Sequence, residues 1–275
     1  MPNRRTVFFI SDRTGITAEM LGNSLLTQFE DYEFHRQTIP FVDSPEKVET
    51  AIRQVNDTGT RERRQPIVFS SIVDEAMSET IRQKARALTL DLFQIFIAPL
   101  EAELAAKSSH TAGRSHGIAN SHEYFARMEA INFAQAHDDG ATTRDLDKAQ
   151  VILVGVSRCG KTPTTLYLAL QFGVRAANFP LTPDDFADRK LPASVIPHRE
   201  RLFGLTITPE RLHRIREERR PGSSYATLEN CRREVREAEH LMEREGIPML
   251  DTSTKSIEEI ATTILHRGRV ERRVF

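Results

Sequence analysis

Val151-Ile152-Leu153-Val154-Gly155-Val156-Ser157-Arg158-Cys159-Gly160-Lys161-Thr162 is the stretch that decides the fold. Its first four residues are apolar and run into a glycine, which reads as a buried strand. The eight residues from Gly155 fit G-x-x-x-x-G-K-[ST] at every fixed position. Thr162 to Phe172 then reads as an amphipathic helix. Strand, glycine loop and helix in that order make a cradle for phosphate. Gly155 and Gly160 allow backbone angles that turn successive N–H groups toward one anion. Val156, Ser157, Arg158 and Cys159 supply the intervening amides, and the helix N-terminus adds the positive end of its dipole. Lys161 is placed to reach the terminal phosphates, and the Thr162 hydroxyl to face a phosphate-bound metal. Pro163 falls in the first helical turn, where a missing N–H is harmless.

Outward from this stretch the same alternation recurs. Toward the C-terminus, Val174 to Phe179, Leu202 to Ile207 and Pro248 to Leu250 read as strands. Thr208-Pro209-Glu210 opens a helix, Tyr225 to Glu245 is a long charged helix with Gly246 at its end, and Ser256 to Glu259 opens the last helix. Toward the N-terminus, Val7 to Ile10, His35 to Val42 and Pro66 to Phe69 read as strands. Helices are expected over Ile16 to Phe29, from Ser44-Pro45 onward, and over Asp74 to Leu88, and Leu92 to Ala98, next in the alternation after that helix, closes the series as a strand would. Alternating strands and helices imply mostly parallel sheets. The expected fold class is α/β, an N-terminal parallel α/β unit followed by a C-terminal P-loop kinase-like α/β domain. Expected boundaries are 1–105 for the first, 146–275 for the second, and 106–145 for a linker and connecting helix. Within that connection, Lys107 to His122 lacks an apolar period, and His116 stands in it with no partner by spacing.

The 275 residues are 39% hydrophobic and 28% charged, ordinary for a globular chain. Lys+Arg is 38 against Asp+Glu 39, a net charge of -1. That balance argues against a nucleic-acid partner held by bulk charge, and against a polybasic membrane anchor. Only seven of the basic residues are Lys, so 31 are Arg (38 − 7). Cys159 and Cys231 are too few for a disulfide framework, and no Cys/His spacing suits zinc. No apolar run is long enough for a signal peptide or a membrane span, so a cytoplasmic protein is expected.

A phosphate loop does not by itself name a reaction, because a carboxylate usually holds the metal or serves as base. The strand after the loop helix offers no Asp. Asp43 belongs to the other unit, and Asp251 is as well explained as a helix cap. His137-Asp138-Asp139-Gly140 could supply a base or metal ligands, or could be a glycine-capped helix end with solvated acids. Ser11-Asp12-Arg13-Thr14-Gly15 sits at a strand end where α/β folds bind ligands, or is a capped helix start. Arg216, Arg219 and Arg220 precede Pro221-Gly222-Ser223-Ser224, which reads as a mobile stretch. They could close over a transferring phosphoryl group, or form a solvated helix end. Arg158 could meet a phosphate or a protein. Cys159 reads as a small loop residue rather than a nucleophile.

These residues together resemble the phosphoenolpyruvate synthetase regulatory protein family. The resemblance is carried in order by Ile10 to Gly15, Ala136 to Gly140, Gly155 to Ala169, Phe203 to Ile207 and Ile215 to Arg220, over nearly the whole chain. The sister group acting on pyruvate, phosphate dikinase usually has Ser where this chain has Gly160, which favours the synthetase branch. The resemblance implies a bifunctional kinase and pyrophosphorylase. It would phosphorylate a threonine of phosphoenolpyruvate synthetase from ADP and remove that phosphate with inorganic phosphate, releasing pyrophosphate. It implies a divalent cation such as Mg²⁺ at Thr162, catalytic roles among His137, Asp138, Asp139, Lys161, Arg216, Arg219 and Arg220, and a homo-oligomer. The competing readings are a P-loop small-molecule kinase, suggested by Asp251-Thr252-Ser253 and Ser256 to Ile260, and a nucleotide sensor without catalysis.

Overall fold

Phe8 and Ile10 face one way from the first strand, Val7 and Phe9 the other, and all four are buried. In the computed structural model, which describes residues 3–109, 121–268 and 270, that strand lies between two helical layers. The chain divides into two compact units, Met1–Gly117 and Ile118–Phe275. Residues 110–120, and His116 with them, lie outside the described residues.

The first unit runs β1 (Asn3–Ile10), α1 (Ile16–Leu26), β2 (Tyr32–Ile39), α2 (Pro45–Glu62), β3 (Ile67–Ser70), α3 (Glu75–Lys84), β4 (Leu88–Asp91) and α4 (Leu92–Leu104). Its sheet is parallel throughout, in the order β2-β1-β3-β4. Phe8 and Ile10 meet Val48, Ile52 and Val55 of α2 and Ile81 of α3. Val7 and Phe9 meet Ala18 and Leu26 of α1 and Leu92 of α4. Both faces of β1 are thus covered, which is why its sequence is continuously apolar rather than alternating. The Ser44 hydroxyl accepts from the Lys47 amide, with Pro45 at the first helical position, as that sequence demands. Leu92 to Ala98, expected to close the strand series, is helical instead. The Asp91 carboxylate accepts from the Phe93 and Gln94 amides and starts α4 there, and β4 is the short run before it. Apolar periodicity cannot separate a short buried strand from an apolar helix.

The second unit comprises α5 (Ser121–Ala136), β5 (Val151–Gly155), α6 (Lys161–Phe172), β6 (Ala176–Pro180), α7 (Pro183–Asp188), β7 (Leu202–Thr206), α8 (Pro209–Arg219), α9 (Leu228–Arg244), β8 (Met249–Asp251) and α10 (Ile257–Arg267). Its sheet is also parallel, in the order β6-β5-β7-β8. β5 is therefore an inner strand, and all five of its residues are buried. The helix within the expected connecting segment, α5, belongs to this unit. It docks on α6 through Ala130, Ala134 and Ala169, flanked by Ile131 and Leu166. The expected helix from Tyr225 begins later, at Leu228, where the Thr227 hydroxyl accepts from the Asn230 amide. Thr208 precedes α8 but makes no side-chain cap, and its amide is taken by the Ser253 hydroxyl at 2.7 Å. Ser256 and Glu259 form a capping box on α10. Among the described residues no helix is long and apolar enough to cross a membrane.

Candidate active site

The loop Gly155–Thr162 leaves the carboxyl end of β5 between its neighbours β6 and β7. The strand order reverses there, the position at which open α/β sheets bind ligands. Gly155 has φ +152°, and a Cβ added to it would lie 2.2 Å from the Leu205 carbonyl oxygen and 3.0 Å from Cys159 Sγ. Neither the backbone angle nor the neighbours admit a side chain. Gly155→Ala should therefore cost about 3 kcal/mol, lowering Tm by ~10 °C in thermal unfolding. An unchanged Tm would mean that β5 and β7 are not held this closely.

Arg158 (φ +75°) and Gly160 (φ +100°) adopt left-handed backbone, the conformation that turns successive amides to one side. Arg158 is exposed. Cys159 is buried, its carbonyl accepts from the Thr252 hydroxyl at 3.0 Å, and burial pushes its thiol pKa up. A thiol so placed is a packing residue rather than a nucleophile. Val156 is buried in the core of this unit. Lys161 is only 3% exposed, and its Nζ donates to the Gly155 and Val156 carbonyls at 3.1 and 3.0 Å. The ammonium therefore lies inside the turn of the loop.

The Thr162 hydroxyl donates to Asp138 Oδ1 at 2.7 Å. This contact is the central feature of the site. The carboxylate that the strands do not supply comes instead from the turn after α5. Asn178 in β6 fixes it there. Its Nδ2 donates to the same Asp138 oxygen at 2.7 Å, its Oδ1 accepts from the Asp139 amide at 3.0 Å, and its own amide donates to the His137 carbonyl at 3.1 Å. Asn178 is fully buried. Sequence reasoning missed it, and the available signal was one amide in an otherwise apolar strand. Asp139 is exposed and left-handed, at φ +48°. Gly140 follows at φ +71°, with the Phe179 ring where its Cβ would be.

The other expected residues are distributed differently. His137 is 4% exposed and stacked on Phe133, with its ring nitrogens 2.8 Å from the Phe133 carbonyl and 2.7 Å from the Arg144 carbonyl. With both nitrogens engaged by backbone, it anchors the turn and is not presented to a substrate. Arg216, expected as a mobile clamp, is 0% exposed. It pairs with Glu234 at 2.7 Å and donates to the Ser157 carbonyl at 3.1 Å from beneath the loop. A guanidinium so enclosed cannot close over a phosphoryl group. Arg219 and Arg220 are exposed at the end of α8. The following segment is tied back, with the Gly222 amide donating to Glu217 at 2.7 Å and the Ser223 hydroxyl to the Arg220 carbonyl at 2.8 Å. In the first unit, Asp12 is buried and accepts from the Val73 amide at 3.1 Å, joining two loops. Asp43 pairs with Lys47, and Asp251 accepts from the Ser253 amide and hydroxyl. Among the described residues, the one carboxylate that meets Thr162 by a hydrogen bond is that of Asp138.

Among the described residues no group of three or more His, Cys, Asp or Glu is placed to hold a metal. One carboxylate beside one hydroxyl suits Mg²⁺, which takes oxygen ligands and is commonly held by one or two carboxylates plus substrate phosphates.

A parallel α/β sheet with a glycine-lysine loop at its reversal point, and an acid against that loop's threonine, is an arrangement suited to holding phosphate. The chain belongs to the Kinase/pyrophosphorylase family, which it matches over residues 7–265. A protein of Laribacter hongkongensis bearing the name phosphoenolpyruvate synthase regulatory protein is 52% identical over 273 residues, covering 99% of this chain and 100% of its own. Proteins of the same name are 55% identical in Polaromonas naphthalenivorans, over 98% of both chains, and in Methylibium petroleiphilum, over 100% of both.

Proposed function

We propose that this chain is a bifunctional regulator of phosphoenolpyruvate synthetase. In one direction it transfers the β-phosphoryl group of ADP to a threonine hydroxyl of the synthetase, leaving AMP and an inactive target. In the other, inorganic phosphate attacks the phosphothreonine, pyrophosphate leaves and the hydroxyl is restored. The observation that carries the reading is the Thr162–Asp138 contact at 2.7 Å, at the start of the helix that follows the glycine loop. The family and the names of its relatives favour the synthetase as the target. That target would place the protein in the cytoplasm.

The amides of Gly155–Thr162 and the dipole of α6 bind the diphosphate. Lys161 exchanges two neutral carbonyl partners for charged phosphate oxygens, which form stronger hydrogen bonds. Asp138 and Thr162 would hold a divalent cation, which neutralises charge on the transferring group when bound. Asn178 keeps Asp138 turned toward Thr162. Asp139, the exposed acid of the pair, accepts the threonine proton in the forward direction and returns it in the reverse. In-line placement and charge neutralisation supply most of the rate in such transfers.

Incubating the purified chain with the synthetase and either ADP or ATP tests the reading. Phosphothreonine should form with ADP alone, and subsequent inorganic phosphate should release pyrophosphate and restore synthetase activity. Transfer from ATP to a small metabolite would instead identify a small-molecule kinase. Nucleotide binding without any transfer would identify a sensor.

A further inference from the structure

Beneath the loop lies a buried ionic arrangement that phosphate contact does not explain. Arg216 Nη2 is shared between Glu234 Oε2 at 2.7 Å and the Ser157 carbonyl at 3.1 Å, and Nη1 donates to the Tyr225 carbonyl at 3.2 Å. The guanidinium lies 4.0 Å from the Tyr225 ring centroid, and the Tyr225 hydroxyl donates to Ser157 Oγ at 3.0 Å. Asn230 Nδ2 donates to the other Glu234 oxygen at 2.8 Å. Ser157 is therefore gripped twice, at its carbonyl and at its hydroxyl. Buried ion pairs are often matched or bettered in stability by apolar pairs of equal volume, so stability alone is a weak reason for this one.

Resting on the assignment of Gly155–Thr162 as the ADP phosphate site, we propose that Arg216, Glu234 and Tyr225 form a strut that sets the peptide orientation of the loop. Arg216 is then a positioning residue for anion binding. In a trans peptide the carbonyl and the following N–H point opposite ways. Drawing the Ser157 carbonyl down to Arg216 turns the Arg158 N–H away from the guanidinium. The left-handed angles of Arg158 and Gly160 carry the later amides to the same side. Glu234 neutralises Arg216, so the strut acts through orientation and not through added charge.

The double substitution Arg216→Met with Glu234→Leu removes the grip while leaving no unpaired buried charge. It should bind ADP about tenfold more weakly by calorimetry, a loss on the scale of one hydrogen bond. KM for ADP should rise to match, with kcat at saturating ADP within about threefold of wild type. A merely structural defect would lower kcat and the folded fraction together. Tyr225→Phe, which removes only the hydroxyl contact, should weaken ADP binding about threefold with Tm unchanged. Wild-type affinity in the folded double variant overturns the strut. If that variant does not fold, wild-type affinity in Tyr225→Phe overturns it. Absence of ADP binding by the wild-type chain would overturn the site assignment and the strut with it, so the two failures are distinguishable.

Discussion

Lys161→Ala abolishes ADP-dependent phosphorylation of the synthetase, with a fall in kcat/KM of at least about 10³-fold expected. The size of the effect follows from where the ammonium sits. It is buried within the loop on the Gly155 and Val156 carbonyls, where few other cations can replace it. Arg158 is exposed, Arg216 is committed to Glu234, and Arg219 and Arg220 lie at the surface. Losing two charge-assisted hydrogen bonds to backbone costs about 3–6 kcal/mol, offset in part because no buried ammonium is left to desolvate, so the folded fraction is measured alongside activity. Circular dichroism and phosphothreonine detection on the same sample separate the two effects. Full activity in a folded Lys161→Ala protein would remove Gly155–Thr162 from the reaction. Loss of the forward reaction with the phosphorolytic reaction intact would show that the two directions use separate anion sites.

Asp138→Asn is expected to lose about 10²–10³-fold in both directions, the magnitude usual for removing one group that supports charge stabilisation in the transition state. The replacement preserves shape, so a hydrogen bond with Thr162 can persist. It removes the negative charge that would hold a divalent cation beside the loop. A rise in the cation concentration needed for half-maximal rate should accompany the loss. Asp139→Asn, by contrast, should spare that cation dependence and depress kcat alone. Activity within a few-fold of wild type for Asp138→Asn in both directions would defeat the assignment made from its contact with Thr162.

The sequence was legible wherever structure is written in neighbouring residues. Strand β5, its loop and α6 are local, and their apolar run, glycines and lysine are each explained by the physics of one element. The Ser44-Pro45 and Ser256–Glu259 helix starts are local too. Leu92–Ala98 was misread because seven mostly apolar residues carry no period, and the deciding signal was the capping Asp91 just before them. The acid was legible only as a pair. Asp138 and Asp139 had equal standing, because the choice depends on a hydroxyl 24 residues away and an amide 40 residues away. Arg216 looked like one member of a charged helix end. Its burial is decided by Glu234, 18 residues on in a different helix, and no spacing along the chain announces that pairing.

The alanine contact between α5 and α6 has a consequence for the chemistry. Asp138 stands two residues beyond the end of α5, and Thr162 is the second residue of α6. Their separation therefore depends, beside the hold of Asn178 on the turn, on how closely the two helices lie, and that clearance is kept by Ala130, Ala134 and Ala169, each with a single methyl group. The three methyls work as a feeler gauge, because close-packed interiors transmit even one added methylene. A larger side chain anywhere along the seam would wedge the helices apart and detune the acid from its hydroxyl, leaving every residue of the reaction in place.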